Sequence, residues 1–257
     1  MKDRLDKLLV SKGLVNSREL ARALIMEGKA FVDGRKVTKP GTPVEETSKI
    51  FLKEPLQPFV GRGGLKLDAA LAFFNIEVKD KVIMDVGSST GGFTDCLLKR
   101  GAGKVYCIDV GYGQLAWSLR TDPRVVLLER TNIRYLESLI KDLPSKFGGP
   151  GFEDLIKGYI DMAAIDVSFI SLIKVVPVVV NFLKEDGEVL ALVKPQFEVG
   201  KGEVGKGGIV RDEKKRYAAV RDVEEDLKNF GLRTGGIYQC PVHGQKGNVE
   251  YFLYMKK

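Results

Sequence analysis

Ile83-Met84-Asp85-Val86-Gly87-Ser88-Ser89-Thr90-Gly91-Gly92-Phe93 runs from an apolar strand through a glycine-rich turn into the start of a helix. Outward from it, strand and helix alternate. Val82–Val86, Lys104–Asp109, Val125–Leu128, Tyr159–Asp166 and Glu188–Lys194 read as strands, and helical patterns near residues 93–100, 113–120, 170–183 and 213–229 separate most of them. Such alternation predicts an α/β fold with a doubly wound, mostly parallel sheet. Leu232–Cys240 and Asn248–Met255 are divided by only a short turn, so they should close the sheet as a terminal antiparallel hairpin.

A ligand lying across the carboxyl ends of such strands needs the backbone to come close, and Gly87, Gly91 and Gly92 permit that. Asp85, Ser88, Ser89, Thr90 and Phe93 share the turn and join the glycines as candidate cofactor-binding residues. The Gly-x-Gly-x-x-Gly of nicotinamide sites is missing. The next strand ends in Tyr106-Cys107-Ile108-Asp109, followed by Val110, and a carboxylate there accepts hydrogen bonds from both ribose hydroxyls of an adenosyl group. Asn132, beyond the third strand, is placed to meet an adenine edge, although a loop asparagine is usually a turn residue. The turn also fits the Gly-x-Ser-x-Gly nucleophile elbow of hydrolases, with Asp166 and His243, the only histidine, in the right order. Against this, the elbow would follow the first strand of the sheet, no glycine-rich oxyanion segment precedes it, and Asp109 would have no task.

Four ionisable residues fall where this fold puts chemistry. Lys66 follows Gly61-Arg62-Gly63-Gly64-Leu65, Asp166 ends the fourth strand, Lys194 ends the fifth, and Glu250 sits in the last strand. Charges at the ends of buried strands are costly unless paired, and two lysines with two carboxylates can satisfy one another. One such pair would be a supporting salt bridge. Four residues beside a ligand loop point to a catalytic group. Gly200-Lys201-Gly202-Glu203-Val204-Gly205-Lys206-Gly207-Gly208, after the fifth strand, is either a flexible connection or a mobile contact for phosphates.

The first 54 residues form a separate pattern. Leu5, Leu8 and Leu9 recur at helical spacing and Gly13 ends that helix. Asn16 caps a second helix, with Glu19 in its first turn, Leu20, Ala21, Leu24 and Ile25 as its inner stripe and Gly28 as its stop. Ala30-Phe31-Val32, Asp33-Gly34 and Arg35-Lys36-Val37 read as strand, tight turn and strand. The chain carries a net charge of +7, and residues 1–39 hold 10 Lys/Arg against 5 Asp/Glu, so the excess is concentrated at this end. A cationic end favours a polyanion. Arg4, Lys7, Arg18, Arg22, Lys29, Arg35 and Lys36, with Arg62, are the candidate nucleic-acid contacts. Pro55 and Pro58 mark a linker, which gives domains at 1–54 and 62–257 joined by 55–61.

No stretch approaches the roughly 18 consecutive apolar residues of a membrane span. The most apolar run, Val175 to Leu183, contains Pro177 and Asn181 and reads as a buried helix. Met1-Lys2-Asp3-Arg4 lacks an apolar signal core, which points to the cytoplasm and to no membrane partner. Cys96, Cys107 and Cys240 are far apart and form no Cys-x-x-Cys, as suits core positions in a reducing compartment without a metal site.

Arg62-Gly63-Gly64-Leu65-Lys66-Leu67, Gly91-Gly92-Phe93-Thr94-Asp95, Asp109-Val110-Gly111-Tyr112-Gly113-Gln114-Leu115, Glu129-Arg130-Thr131-Asn132, Asp166-Val167-Ser168-Phe169-Ile170-Ser171-Leu172, Val193-Lys194-Pro195-Gln196-Phe197-Glu198 and Gly247-Asn248-Val249-Glu250-Tyr251 resemble segments of the TlyA family. The resemblance runs over nearly the whole chain. It implies a class I, Rossmann-like methyltransferase sheet, S-adenosylmethionine as cofactor, and 2'-O-methylation of a cytidine in ribosomal RNA, despite the haemolysin name the family often carries. The catalytic domain in turn resembles the FtsJ type, whose Lys-Asp-Lys-Glu tetrad falls on Lys66, Asp166, Lys194 and Glu250.

The two helices and basic hairpin resemble the RNA-binding domain of ribosomal-protein-S-four type. Gly61 stands where the family often has serine and Ser88 where it often has alanine, and neither touches the tetrad. The chain begins at the first helix of the RNA-binding domain and ends soon after the last strand, like shorter members of the family. This implies large-subunit RNA as the favoured substrate, with the small subunit as a further one, and a monomer is expected. The implied mechanism has Lys194 steer or deprotonate the ribose hydroxyl, Asp166 orient Lys194, and Lys66 and Glu250 hold the ribose. An RNA-binding assembly factor or a haemolysin without methyl transfer is the alternative, and the intact tetrad and missing span speak against both.

Overall fold

The computed structural model describes residues 2–26, 28–53, 58–139, 158–200, 202–244 and 247–257. They divide into two units, Met1–Pro58 and Phe59–Lys257. Residues 54–57, which include the first three of the expected linker, and Lys201 lie outside the described residues. Phe59–Gly61 belong to the larger unit, where the Val60 N–H donates to Asp95 Oδ2 at 2.8 Å.

In the smaller unit a short strand, β1 (Lys2–Arg4), precedes α1 (Leu5–Ser11) and pairs antiparallel with β4 (Pro43–Glu45). The described chain therefore opens on a strand rather than on the expected helix. The leucines of α1 are buried as their spacing requires, and Gly13 leaves the helix at φ +68°. Ser17, not Asn16, caps α2 (Arg18–Met26): its Oγ accepts the Leu20 N–H at 3.1 Å. The inner stripe is also narrower than expected. Ala21 and Ile25 are buried, Leu24 is half-buried and Leu20 is exposed, because α2 meets this small core along one i,i+4 row. Three strands, β2 (Ala30–Val32), β3 (Arg35–Val37) and β5 (Ile50–Leu52), form an antiparallel sheet in the order β3-β2-β5. Ala30, Val32, Val37, Ile50 and Leu52 pack inward on the helices.

The larger unit runs α3 (Arg62–Phe73), β6 (Val82–Val86), α4 (Gly92–Lys99), β7 (Lys104–Ile108), α5 (Trp117–Arg120), β8 (Val125–Leu128), β9 (Ile160–Ile165), α6 (Val176–Val180), β10 (Leu183–Val193), α7 (Pro195–Glu198), α8 (Glu213–Asn229), β11 (Arg233–Gln239) and β12 (Tyr251–Lys256). Seven strands make one sheet in the order β11-β12-β10-β9-β6-β7-β8. Strands β6 to β10 are parallel, and β12 is antiparallel to both β10 and β11. The expected closing hairpin is present, with its second strand inserted between β10 and the first. Apolar clusters cover both faces, Met84, Tyr106 and Ile165 on one side and Ile83, Val105 and Leu190 on the other. Each buried Leu or Ile of this kind contributes about 1.5–3 kcal/mol. All three cysteines are free and buried in the second cluster.

Two helix expectations change. Val175 to Leu183 is not one helix: a 3-10 turn at Leu172–Lys174 leads into α6, and Leu183 already opens β10. Five valines in that run lose side-chain freedom in a helix, which keeps it short. The helix expected at 113–120 shrinks to Trp117–Arg120, with Gly113 at φ +71° before it. Among the described residues, no helix is long and apolar enough to cross a membrane.

Candidate active site

Asp109, Asp166 and Lys194 are each the first residue beyond a strand, and Glu250 is the last before β12, so none lies within a strand as the spacing suggested. Each backbone is leaving the sheet there, which frees the side chain to turn into the crevice at the carboxyl ends. Asp166, Lys194 and Glu250 line a cavity of about 610 Å³, a size that suits a small molecule or cofactor.

The glycine turn forms part of its wall, through Gly87, Ser88, Ser89, Thr90, Gly92 and Phe93. Gly87 sits at φ +87°, and a Cβ there would lie 2.5 Å from the Asp166 carbonyl oxygen. A Cβ on Gly92 would lie 2.9 Å from the Gly64 backbone nitrogen, so the starts of α3 and α4 touch through bare backbone. Gly91, Asp85, Asp109, Val110 and Asn132 do not line the cavity.

Asp85 is fully buried behind the turn and accepts the Thr94 hydroxyl at 2.6 Å, while its other oxygen has no partner among the described residues. Burial pushes its carboxyl up to about 7, against the Thr94 hydrogen bond, with the charge of Asp166 adding to the rise. Asp109 is pinned across from the turn by two backbone amides, Ser89 N–H at 2.7 Å and Gly111 N–H at 2.6 Å. A carboxylate has about four lone-pair sites, so two remain for a ligand's hydroxyls. Asn132 is the cap of a 3-10 turn, its Oδ1 accepting the Arg134 N–H at 3.1 Å, which leaves only its amide hydrogens to donate. Val110 is exposed.

The four ionisable residues do converge, as two ion pairs. Lys66 Nζ lies 2.5 Å from Glu250 Oε2, and Lys194 Nζ lies 2.5 Å from Asp166 Oδ1. All four line the cavity, and Lys66, Lys194 and Glu250 are buried. Sequence reading missed their supports. Lys194 Nζ also donates to Ser168 Oγ at 2.9 Å. Glu198, its carboxyl pushed up by burial, accepts the Leu172 N–H at 3.0 Å and so ties the segment after Asp166 to the helix after Lys194. Asn248 Nδ2 donates to the Gly208 carbonyl at 2.8 Å, which fastens the glycine-rich stretch beside Glu250. Ser168 and Asn248 stand two residues from tetrad members, and that proximity was the available signal.

The hydrolase reading fails on the same geometry. Asp166 pairs with Lys194, and the Ser89 hydroxyl faces Gln114. His243 is an exposed residue at the cavity wall. Among the described residues, no group of His, Cys, Asp and Glu could hold a metal ion.

In the smaller unit Arg4 and Arg18 both bind the fully buried Asp6, at 2.9 and 3.1 Å, and Lys7 lies 3.7 Å from Asp3. Arg22, Arg35 and Lys36 are exposed, and Lys29 is half-buried. Arg62, in the larger unit, is exposed on the cavity wall.

Residues 59–257 match the family model of the FtsJ-like methyltransferases, and residues 3–50 match that of the S4 domain. Over 254 residues the chain is 44% identical to the 16S/23S rRNA (cytidine-2'-O)-methyltransferase TlyA of Mycobacterium tuberculosis, spanning 98% of this chain and 89% of that one. It is 39% identical over 251 residues to Hemolysin A of Brachyspira hyodysenteriae, spanning 98% of each. A solved structure from Streptococcus thermophilus, named as a haemolysin, aligns with a TM-score of 0.71 at 39% identity, over all of this chain and 88% of that one. With a fold, a glycine turn at the sheet's carboxyl edge and a full-length likeness that agree, the chain belongs to the TlyA family of S-adenosylmethionine-dependent, FtsJ-like methyltransferases and carries an S4 domain in its N-terminal unit.

Proposed function

We propose that this chain methylates the 2'-hydroxyl of a cytidine ribose in ribosomal RNA, in the cytoplasm, with the large subunit as its favoured substrate and the small subunit as a further one. The observation that carries the reading is the Lys194–Asp166 pair standing with Lys66–Glu250 on one cavity wall, beside the glycine turn.

The residues present fit S-adenosylmethionine. Gly87 leaves bare backbone where a side chain would collide, and Ser88 Oγ is buried at the cavity wall without a partner among the described residues. Gly87 to Gly92 would lie along the ligand, Asp109 would take its ribose hydroxyls, and Asn132 would donate to its adenine. Bound there, the cofactor supplies a methyl group on a sulfonium, already a good electrophile.

The chain's own task is to align a ribose hydroxyl and to manage its proton. The Lys194 ammonium is held by its ion pair with Asp166 and by the hydrogen bond it donates to Ser168, which leaves hydrogens free to point at a ligand. So held, it serves to steady charge growing on the ribose oxygen or to receive its proton, a role typically worth 10²–10⁴-fold. Lys66 and Glu250 hold each other and present polar edges to the sugar. The wall carries two positive and two negative groups, so it takes up RNA without net repulsion. Every one of these groups comes from a single chain, which supports action as a monomer.

Incubation with tritium-labelled S-adenosylmethionine and purified ribosomal subunits tests the reading. Label in an alkali-resistant cytidine dinucleotide is expected, since a 2'-O-methyl blocks cleavage at that phosphate. Label on a base, or none on either subunit, would overturn it.

A further inference from the structure

The outer face of the small sheet has no task in methyl transfer. Phe31 pairs across strands with Phe51 on one side and Lys36 on the other. Two backbone hydrogen bonds, Lys53 N–H to Lys29 O and Asp33 N–H to Lys49 O, both 2.9 Å, extend the β2–β5 ladder by one residue at each end. Side chains alternate along a strand, so Lys29, Phe31 and Asp33 share a face with Lys49, Phe51, Lys53 and Lys36, opposite the helices. The two rings are stacked, with centroids 5.2 Å apart and planes 12° from parallel, and Phe51 is 40% exposed. Lys36, Lys49 and Lys53 are exposed. Asp33, the one acid on this face among the described residues, is turned to the neighbouring strand's backbone and accepts the Lys49 N–H at 2.8 Å.

A cross-strand ring pair steadies a sheet by itself, but it does not call for three exposed lysines around it. Flat rings flanked by cations are what an unpaired nucleic acid strand needs: bases stack on the rings while phosphates meet the lysines. Base-paired RNA keeps its bases stacked on one another and has no use for the rings.

We propose that this face binds unpaired RNA, stacking bases on Phe51 and Phe31 with Lys36, Lys49 and Lys53 on the phosphates. The inference rests on the reading of RNA as the substrate class and adds that the N-terminal unit selects a single-stranded segment.

The test uses the full chain and two fluorescein-labelled probes, an eight-nucleotide oligocytidylate and a blunt RNA duplex, read by anisotropy at one salt concentration for the aromatic variants and over a salt series for the lysine variant. Phe51→Ala and Phe31→Ala should each weaken the single strand by roughly 5- to 100-fold, leave the duplex within twofold, and be rescued by Phe51→Tyr and Phe31→Tyr. Lys49→Gln with Lys53→Gln, both at exposed positions, should lower the salt slope for the single strand by about 1.4. Wild-type affinity in the alanine variants, equal losses on both probes, or an unchanged salt slope would overturn the proposal. So would loss of binding to whole subunits with the oligonucleotide unaffected, which would assign the face to a ribosomal protein. Methyl transfer by the same preparations is scored separately, so a chain that binds through Phe51 but transfers nothing counts only against the proposed activity.

Discussion

Lys66 Nζ and Glu250 Oε2 lie 2.5 Å apart although 184 residues separate them in the chain, and both side chains are almost wholly out of water. Removing one partner strands the other as a buried charge. Lys66→Met or Glu250→Leu alone should therefore cost about 3–5 kcal/mol of stability. The double variant should recover most of that while remaining inactive. Urea denaturation of all three variants checks this, and losses that simply add would refute the coupling.

Lys194 carries the chemistry in the proposed mechanism. Lys194→Ala should lower turnover by about 10²–10⁴-fold, while calorimetry finds cofactor affinity within a few-fold of wild type. Wild-type turnover in this variant would remove Lys194 from the reaction.

Gly87 spaces the cofactor turn from the backbone of Asp166. Gly87→Ala should push that backbone aside and damage both functions at once, with cofactor affinity and saturated turnover each falling more than tenfold. A displacement of about 1 Å at a reacting group can cost 10²-fold. Loss of affinity with full turnover at saturating cofactor would show that Asp166 had not moved.

Asp85 should make the larger unit less stable as pH rises. Its folded carboxyl titrates near 7, against about 3.9 in the unfolded chain. Between those values the folded state holds a proton that the unfolded state has released, so stability falls across that window and levels off above it. Asp85→Asn keeps an acceptor for Thr94 and removes the titration. Its denaturation midpoint at pH 8 should gain on wild type relative to pH 5, and parallel profiles would contradict the assignment.

Asp6 has the opposite sign. The hydrogen bond from Arg4, with that from Arg18, overcomes burial and holds its carboxyl down at about 2. Its contribution is present above about pH 4 and is lost as pH falls toward 2. The N-terminal unit should accordingly show an acid transition in that range by circular dichroism, and Asp6→Asn should flatten it.

The sheet was legible because strands buried on both faces read as continuous apolar runs, and Val82–Val86 and Val125–Leu128 matched residue for residue. The tetrad was legible because a charged residue at the end of such a run has few reasons to be there. Ser168, Glu198 and Asn248 were not, since a loop hydroxyl or amide, or a carboxylate closing a short helix, is ordinary until its partner is known. The pairing itself, Lys66 with Glu250 and Lys194 with Asp166, depends on tertiary placement that no local pattern encodes. The same holds for Asp85, which shares the cofactor turn yet faces away from the cavity. Ser17 displaced Asn16 as cap because the two stand side by side and either can do that job.

Strand β12 inserts between β10 and β11, and Glu250 stands immediately before it. A nascent chain emerging from the ribosome acquires its turn, Lys66, Asp166 and Lys194 well before this strand leaves the exit tunnel. Until then β10 has an unzipped margin and Lys66 has no counter-ion. The two ion pairs therefore differ in their dependence on chain order: Lys194 and Asp166 follow neighbouring parallel strands, whereas Lys66 can meet Glu250 only once β12 has zipped onto β10.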